Sequence, residues 1–88
     1  MNSSQWQFLG PNHVKSAHGF SVRRKERNLL LYESLDQMLP IEVEPGDSLG
    51  VYLTHSTQLS GFSEKEIAFI SEQIGEALTF MGVRHEII

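Results

Sequence analysis

The run Ser63-Glu64-Lys65-Glu66 constrains this chain more than any other stretch. It is a capping box, in which a serine hydroxyl accepts from the backbone three residues on and a glutamate reaches back to the serine N–H. Phe62 before it and Ile67 inside it have the spacing of a hydrophobic staple. Ile67, Ile70, Ile74, Ala77, Leu78 and Met81 then recur at helical spacing as one apolar stripe. Gly82 follows, where a helix end favours a left-handed residue. The spacing predicts a helix from Glu64 to Met81, about 18 residues and ~27 Å long. Such a helix has one apolar side, so the rest of the chain must supply a surface to cover it.

That surface reads as strands. Gln5 to Leu9 alternates polar and apolar before Gly10-Pro11-Asn12 breaks it. Phe20-Ser21-Val22 and Leu29 to Tyr32 flank a polar tip, Arg24 to Asn28, as a hairpin would. Ile41 to Glu44 meets Leu49 to Leu53 through Glu44-Pro45-Gly46-Asp47, and Pro45-Gly46 is the central pair a type II turn favours. Ser34 to Leu39 reads as a short helical turn ended by Pro40, with Pro40 at a sheet edge or a break between strands. His55 to Gly61 is a polar loop feeding the helix, and Val83 to Ile88 is a final strand rich in β-branched residues. The expected fold class is α+β: an antiparallel meander with one long C-terminal helix packed on one face and a short final strand.

Eighty-eight residues suit a single domain, 1–88, with one modest core. An apolar content of 40% with 20% charged residues excludes a disordered tail. Without cysteine there are no disulfides, thiolate metal sites or Cys nucleophiles. No apolar run is long enough for a membrane span, and the first residues are not a signal-peptide start, so a cytoplasmic protein is expected. The net charge of −4 is unevenly spread. Lys15, Arg23, Arg24, Lys25 and Arg27 face only Glu26 in their stretch, whereas Glu33, Asp36, Glu42, Glu44 and Asp47 run without a base. A dipolar surface dominated by acid suits a basic protein partner and suits nucleic acid poorly.

Chemistry-bearing patterns are sparse. His13 and His18 lie five apart in a loop-like stretch, which is not a metal-ligand spacing. His55 precedes Ser56 and Thr57, but neighbours on a strand point to opposite faces and do not form a nucleophile–base pair. His85 shares a strand face with Val83 and Ile87. The glycines are isolated and form no phosphate loop. No catalytic, cofactor-binding or metal-binding residue is assigned. Glu42 and Glu44 share one strand face, and with Asp47 they are candidate partner-binding acids. On the helix, Phe69 and Phe80 fall on one flank away from the core stripe with Gln73 between them, a candidate apolar contact. Three other uses remain open: self-association through that flank or the final strand's edge, nucleic-acid or ligand binding by the Arg23–Arg27 tip, and a minor enzymatic or ligand-binding role for His55 or His85.

The stretch Leu59-Ser60-Gly61-Phe62-Ser63-Glu64-Lys65-Glu66, followed by Ile70, Ile74, Ala77-Leu78, Phe80-Met81-Gly82-Val83 and Glu86-Ile87, resembles the ending of small bacterial immunity proteins that neutralise polymorphic toxins. The likeness is architectural and covers about the last two-thirds of the chain. Where that family carries a Trp-Pro type segment, this chain has Thr57-Gln58-Leu59-Ser60-Gly61. The resemblance implies a non-catalytic inhibitor that occludes a basic toxin or enzyme, with no cofactor.

Overall fold

The computed structural model describes residues 5–34, 37–53 and 61–88. Alternation does its work first in the strands: β1 (Trp6–Gly10), β2 (His13–Ser16), β3 (Ser21–Glu26), β4 (Leu29–Glu33), β5 (Met38–Glu44) and β6 (Leu49–Val51). Each is antiparallel to the one before it. The helix α1 (Glu64–Phe80) then carries the chain back, and β7 (His85–Ile87) lies parallel to β6. A parallel neighbour needs a crossover of this kind, because a tight turn reverses the chain. The result is the expected α+β class: seven strands in order β1 to β7 among the described residues, with one helix against the inner face.

Inward residues come from alternate positions. Trp6, Val14, Val22, Leu30, Tyr32, Leu39, Ile41, Val43, Leu49 and Val51 form one cluster with Ile70, Ile74, Ala77 and Leu78 of α1. Ile67 and Met81, expected in the core, lie at its margin and are partly buried, as is Phe20. The sequence pattern places Leu31 with Phe20, Val22, Val43 and Val51 in the core facing the helix, and for Leu31 the structure corrects this. Leu31 is buried but stands outside the cluster, because Val22 pairs with Tyr32 and so turns Leu30 and Tyr32 inward and Leu31 outward.

Both helix ends are closed as the sequence indicates. Ser63 Oγ accepts from the Glu66 N–H at 3.1 Å, and Glu66 Oε1 accepts from the Ser63 N–H at 2.8 Å. At the other end the Val83 N–H donates to Leu78 and the Gly82 N–H to Thr79, with Gly82 at φ 76°. This is a Schellman motif, and its left-handed residue is where glycine avoids a Cβ clash.

Four local expectations are corrected. His13 to Ser16 is a strand, not a loop, and Val14 is fully buried between β1 and β3. Met38 and Leu39 belong to β5, not to a helical turn. The Ser34 N–H donates to Gln37 O to close the β4–β5 hairpin. Residues 35 and 36, which that expectation also covered, and His55 to Ser60 of the expected loop lie outside the described residues. Pro40 sits inside β5, paired with Leu31. The Val43 N–H donates to Asn28 and the Tyr52 N–H to Glu42 O, so the even residues of β5 turn their backbone towards β6. Pro40 therefore presents its missing donor to a side where β6 has already ended at Val51, and the ladder loses nothing. Gly46 does not take the positive φ of a type II turn, so a wider bend joins β5 to β6.

Two stability outcomes follow. Ile74, fully buried at the centre of the helix stripe, should cost about 2–5 kcal/mol when changed to alanine. Ser63→Ala removes one half of the capping box and should cost ~1 kcal/mol. Chemical denaturation of both variants checks this, and a loss at Ile74 no larger than that at Ser63 would contradict the buried stripe.

Candidate partner-binding surface

Because α1 covers only the inner face, the outer face of the sheet stays open. Parity decides what it presents. In β5 the buried residues are Leu39, Ile41 and Val43, so Met38, Pro40, Glu42 and Glu44 point outward. Glu44 pairs with Gly50, and Gly50 pairs with Glu86 of β7. Glu42 lies across from Tyr52, whose N–H it receives. Gly50 leaves a dip in this row, and a Cβ there would stand 3.3 Å from Ile88 Cδ1, so the Ile88 side chain lies across the bare backbone. Glu42, Glu44 and Glu86 thus surround Tyr52 and Ile88, and these five residues include no base.

The electrostatics of this patch are visible in Tyr52. Its hydroxyl donates to Glu44 Oε1. That hydrogen bond, followed by desolvation and the negative charges of Glu44 and Glu42, raises its pKa above the usual 10.0. Tyr32 is raised for a different reason: burial in the core disfavours its phenolate and pushes it to about 12.

The candidate residues do not form one site. Glu42 and Glu44 fall together on the outer face. Asp47 lies apart in the β5–β6 bend, lining a cleft with Arg24 and Arg84. Phe69 is 45% exposed but sets its edge against Phe20 at 5.4 Å, and Phe80 tilts against Phe8 at 5.1 Å. Gln73 is 8% exposed, and its Oε1 has no hydrogen-bond partner. Phe20 and Phe8 therefore cover part of the helix flank, Phe69 keeps nearly half of its surface open, and the burial of Gln73 withdraws it from any contact surface. Tyr52 and Glu86 were not singled out in the sequence, and Ile88 entered only as part of the final strand's edge for self-association. Their one signal was the parity of Tyr52 with Glu42, which has meaning only once β5, β6 and β7 are in register.

The other candidates scatter. Arg23 points outward opposite His13, whereas Arg24 turns to the opposite side and donates to Arg27 O at 2.7 Å. The basic tip is thus divided between two faces and does not converge on one phosphate. His18 is exposed in the β2–β3 turn, and His55 lies outside the described residues. His85 Nδ1 stands 3.0 Å from Val83 O, a contact that makes Nδ1 the protonated nitrogen. Its Nε2 then faces a groove of about 560 Å³ beside α1, also lined by Trp6, Glu72, Glu76 and Phe80. In that groove Glu76 already accepts from Gln5 Nε2 and Trp6 Nε1. Among the described residues no three His, Asp or Glu side chains gather as they would around a metal ion, and no helix is long and apolar enough to cross a membrane.

The two tyrosines give a direct check. Phenolate absorbance should show no step at pH 10 in the wild type, and Glu44→Gln should bring one step back towards it. The folded chain holds the Tyr32 proton more tightly than the unfolded chain does. Its contribution to stability is therefore complete below pH 10 and is lost as pH rises from about 10 to about 12. Tyr32→Phe should flatten that decline in thermal melts.

Comparison of the chain with protein-family models, with curated proteins and with solved structures finds no match.

Proposed function

We propose that this protein is a small non-catalytic inhibitor of the immunity type, which binds and occludes a basic toxin or enzyme through the outer face of β5, β6 and β7. One observation carries the reading: three carboxylates, Glu42, Glu44 and Glu86, ring an aromatic and an aliphatic side chain on an uncovered sheet face. Protein interfaces of high affinity combine these two elements. Charge raises the rate of encounter, and a tyrosine or large aliphatic residue, desolvated on docking, slows departure. The architectural resemblance of about the last two-thirds of the chain points to the same class. The site of action is the cytoplasm, where an inhibitor made beside its partner would meet it.

The first test is a capture and rate experiment. The chain is immobilised, a toxin encoded directly upstream of its gene is passed over it, and association and dissociation are read separately. Association should slow as salt is raised, because exposed charges are screened within about 8–10 Å at physiological ionic strength. The combined reversal Glu42→Lys, Glu44→Lys and Glu86→Lys should slow association by at least tenfold, on the scale of steering effects. Tyr52→Ala should act on dissociation instead, by roughly 2 kcal/mol if it is the anchor. Asp47→Lys is the internal comparison, since Asp47 lines a separate cleft shared with Arg24 and Arg84 and should matter less. If the triple reversal leaves both rates unchanged, the acidic face is solvated surface and the reading fails.

A further inference from the structure

The two edges of the sheet are built differently. β7 is three residues long, and its middle residue is the exposed Glu86. Antiparallel pairing of β7 with its own copy about Glu86 would set two carboxylates opposite each other, which disfavours it. β1 is five residues long, contains no charged residue, and carries Phe8 and Leu9 on opposite faces, each 51% exposed. Natural edge strands are usually blunted by charge, by proline or by a short length. The only such feature in β1 is the irregularity between Phe8 and Gly10 at its far end.

Its backbone is also aimed outward. Gln5 O accepts from the Ala17 N–H, so the odd residues of β1 serve the ladder to β2. By alternation Trp6 and Phe8 direct N–H and C=O away from the sheet, and among the described residues no strand receives them. Nor does β1 hang loosely. Trp6 is buried, Trp6 Nε1 and Gln5 Nε2 donate to Glu76 of α1, and the Phe8 ring rests on Phe80. The edge is pre-set for pairing, which lowers the ordering cost of binding.

We propose that β1 pairs antiparallel with β1 of a second copy, joining two sheets into one about a two-fold axis at Phe8. The register is self-consistent. Phe8 lies opposite Phe8 of the other copy and exchanges both ladder bonds with it, and Gln7 lies opposite Leu9. The like residues that meet are aromatic and not charged. Each Phe8 is backed by its own Phe80, so an apolar cluster of four rings closes over the join on the helix side. An edge-to-edge contact with this symmetry closes on itself and stops at two copies, whereas β1 pairing with β7 of the next copy would run on into a filament. The acidic face lies at the other end of the strand order, so each copy keeps its own.

Sedimentation of the full chain tests this. The expected mass at high concentration is twice the monomer's 10.0 kDa. Phe8→Pro deletes an outward donor that β2 does not use and should raise the dimer dissociation constant roughly tenfold beyond Phe8→Ala, which removes only the ring. Leu9→Lys, on the outer face and half-exposed, should weaken the dimer while leaving far-UV circular dichroism and the melt unchanged. The Glu42, Glu44 and Glu86 reversal should leave the dimer intact, which separates this proposal from the inhibitor reading. A chain that stays monomeric at millimolar concentration would overturn it. So would a dimer indifferent to both Phe8→Pro and Leu9→Lys, or a mass that grows past two copies.

Discussion

Burial of one side of α1 against the inner face of the sheet is the constraint on which the rest of the molecule depends. Ile70, Ile74, Ala77 and Leu78 share one core cluster with residues from all six strands of the meander. With one helix to spend, the chain can cover one face of its sheet and no more. The outer face must then be solvated or occupied by something else, and this is where several charged residues of β2, β3, β5 and β7 collect, Arg24 of β3 excepted. Lys15 and Arg23 stand on β2 and β3, and Glu42, Glu44 and Glu86 on β5 and β7. The charge imbalance along the sequence thus becomes a gradient across one surface, because a meander keeps sequence neighbours as spatial neighbours.

What was legible in the sequence is what local chemistry determines. The helix boundaries follow from Ser63, Glu66 and Gly82, whose hydrogen bonds involve backbone within a few residues of themselves. The hairpin around Arg24 to Asn28 is legible for the same reason. Less local features were not. β2 has one apolar residue, Val14, and no periodicity can be read from one residue; pairing on both sides makes it a strand. Three successive leucines, Leu29 to Leu31, have no phase of their own, and the pairing of Val22 with Tyr32 decides which of them faces inward. Pro40 is tolerated because of hydrogen bonds made by Val43 and Tyr52, not by anything beside it in sequence.

The candidate surface divides along the same line. That Glu42 and Glu44 share a face is a property of a strand, readable from two residues. That Tyr52, Glu86 and Ile88 join them is a property of the β5–β6–β7 register, and β7 reaches its place only through the helix crossover. The helical wheel correctly set Phe69 and Phe80 on one flank, but it carried no information about Phe20, which ends the β2–β3 connection, or Phe8 of β1, which pack against that flank from far away in sequence. An aromatic pair off the core stripe of a helix is therefore ambiguous in a small α+β chain, where the sheet is wide enough to curl round and meet it.

The curl also separates two kinds of exposed apolar surface. Ile88 and Met38 lie on the outer face beside carboxylates, where a partner must satisfy charge as well as area. Phe8 and Leu9 lie on a neutral edge, where the unmet demand is for backbone hydrogen bonds. Those demands select different partners. A charged patch discriminates by the sign and spacing of the opposing charges, and a bare edge accepts any strand that can align with it, so the most abundant aligned strand is the chain's own. Pairing of β1 with itself would occupy the less discriminating surface and leave the more discriminating one facing solvent, twice over, on a single particle. A partner with two basic surfaces within reach would then be held by both, with the second contact made at the effective concentration that the first one sets.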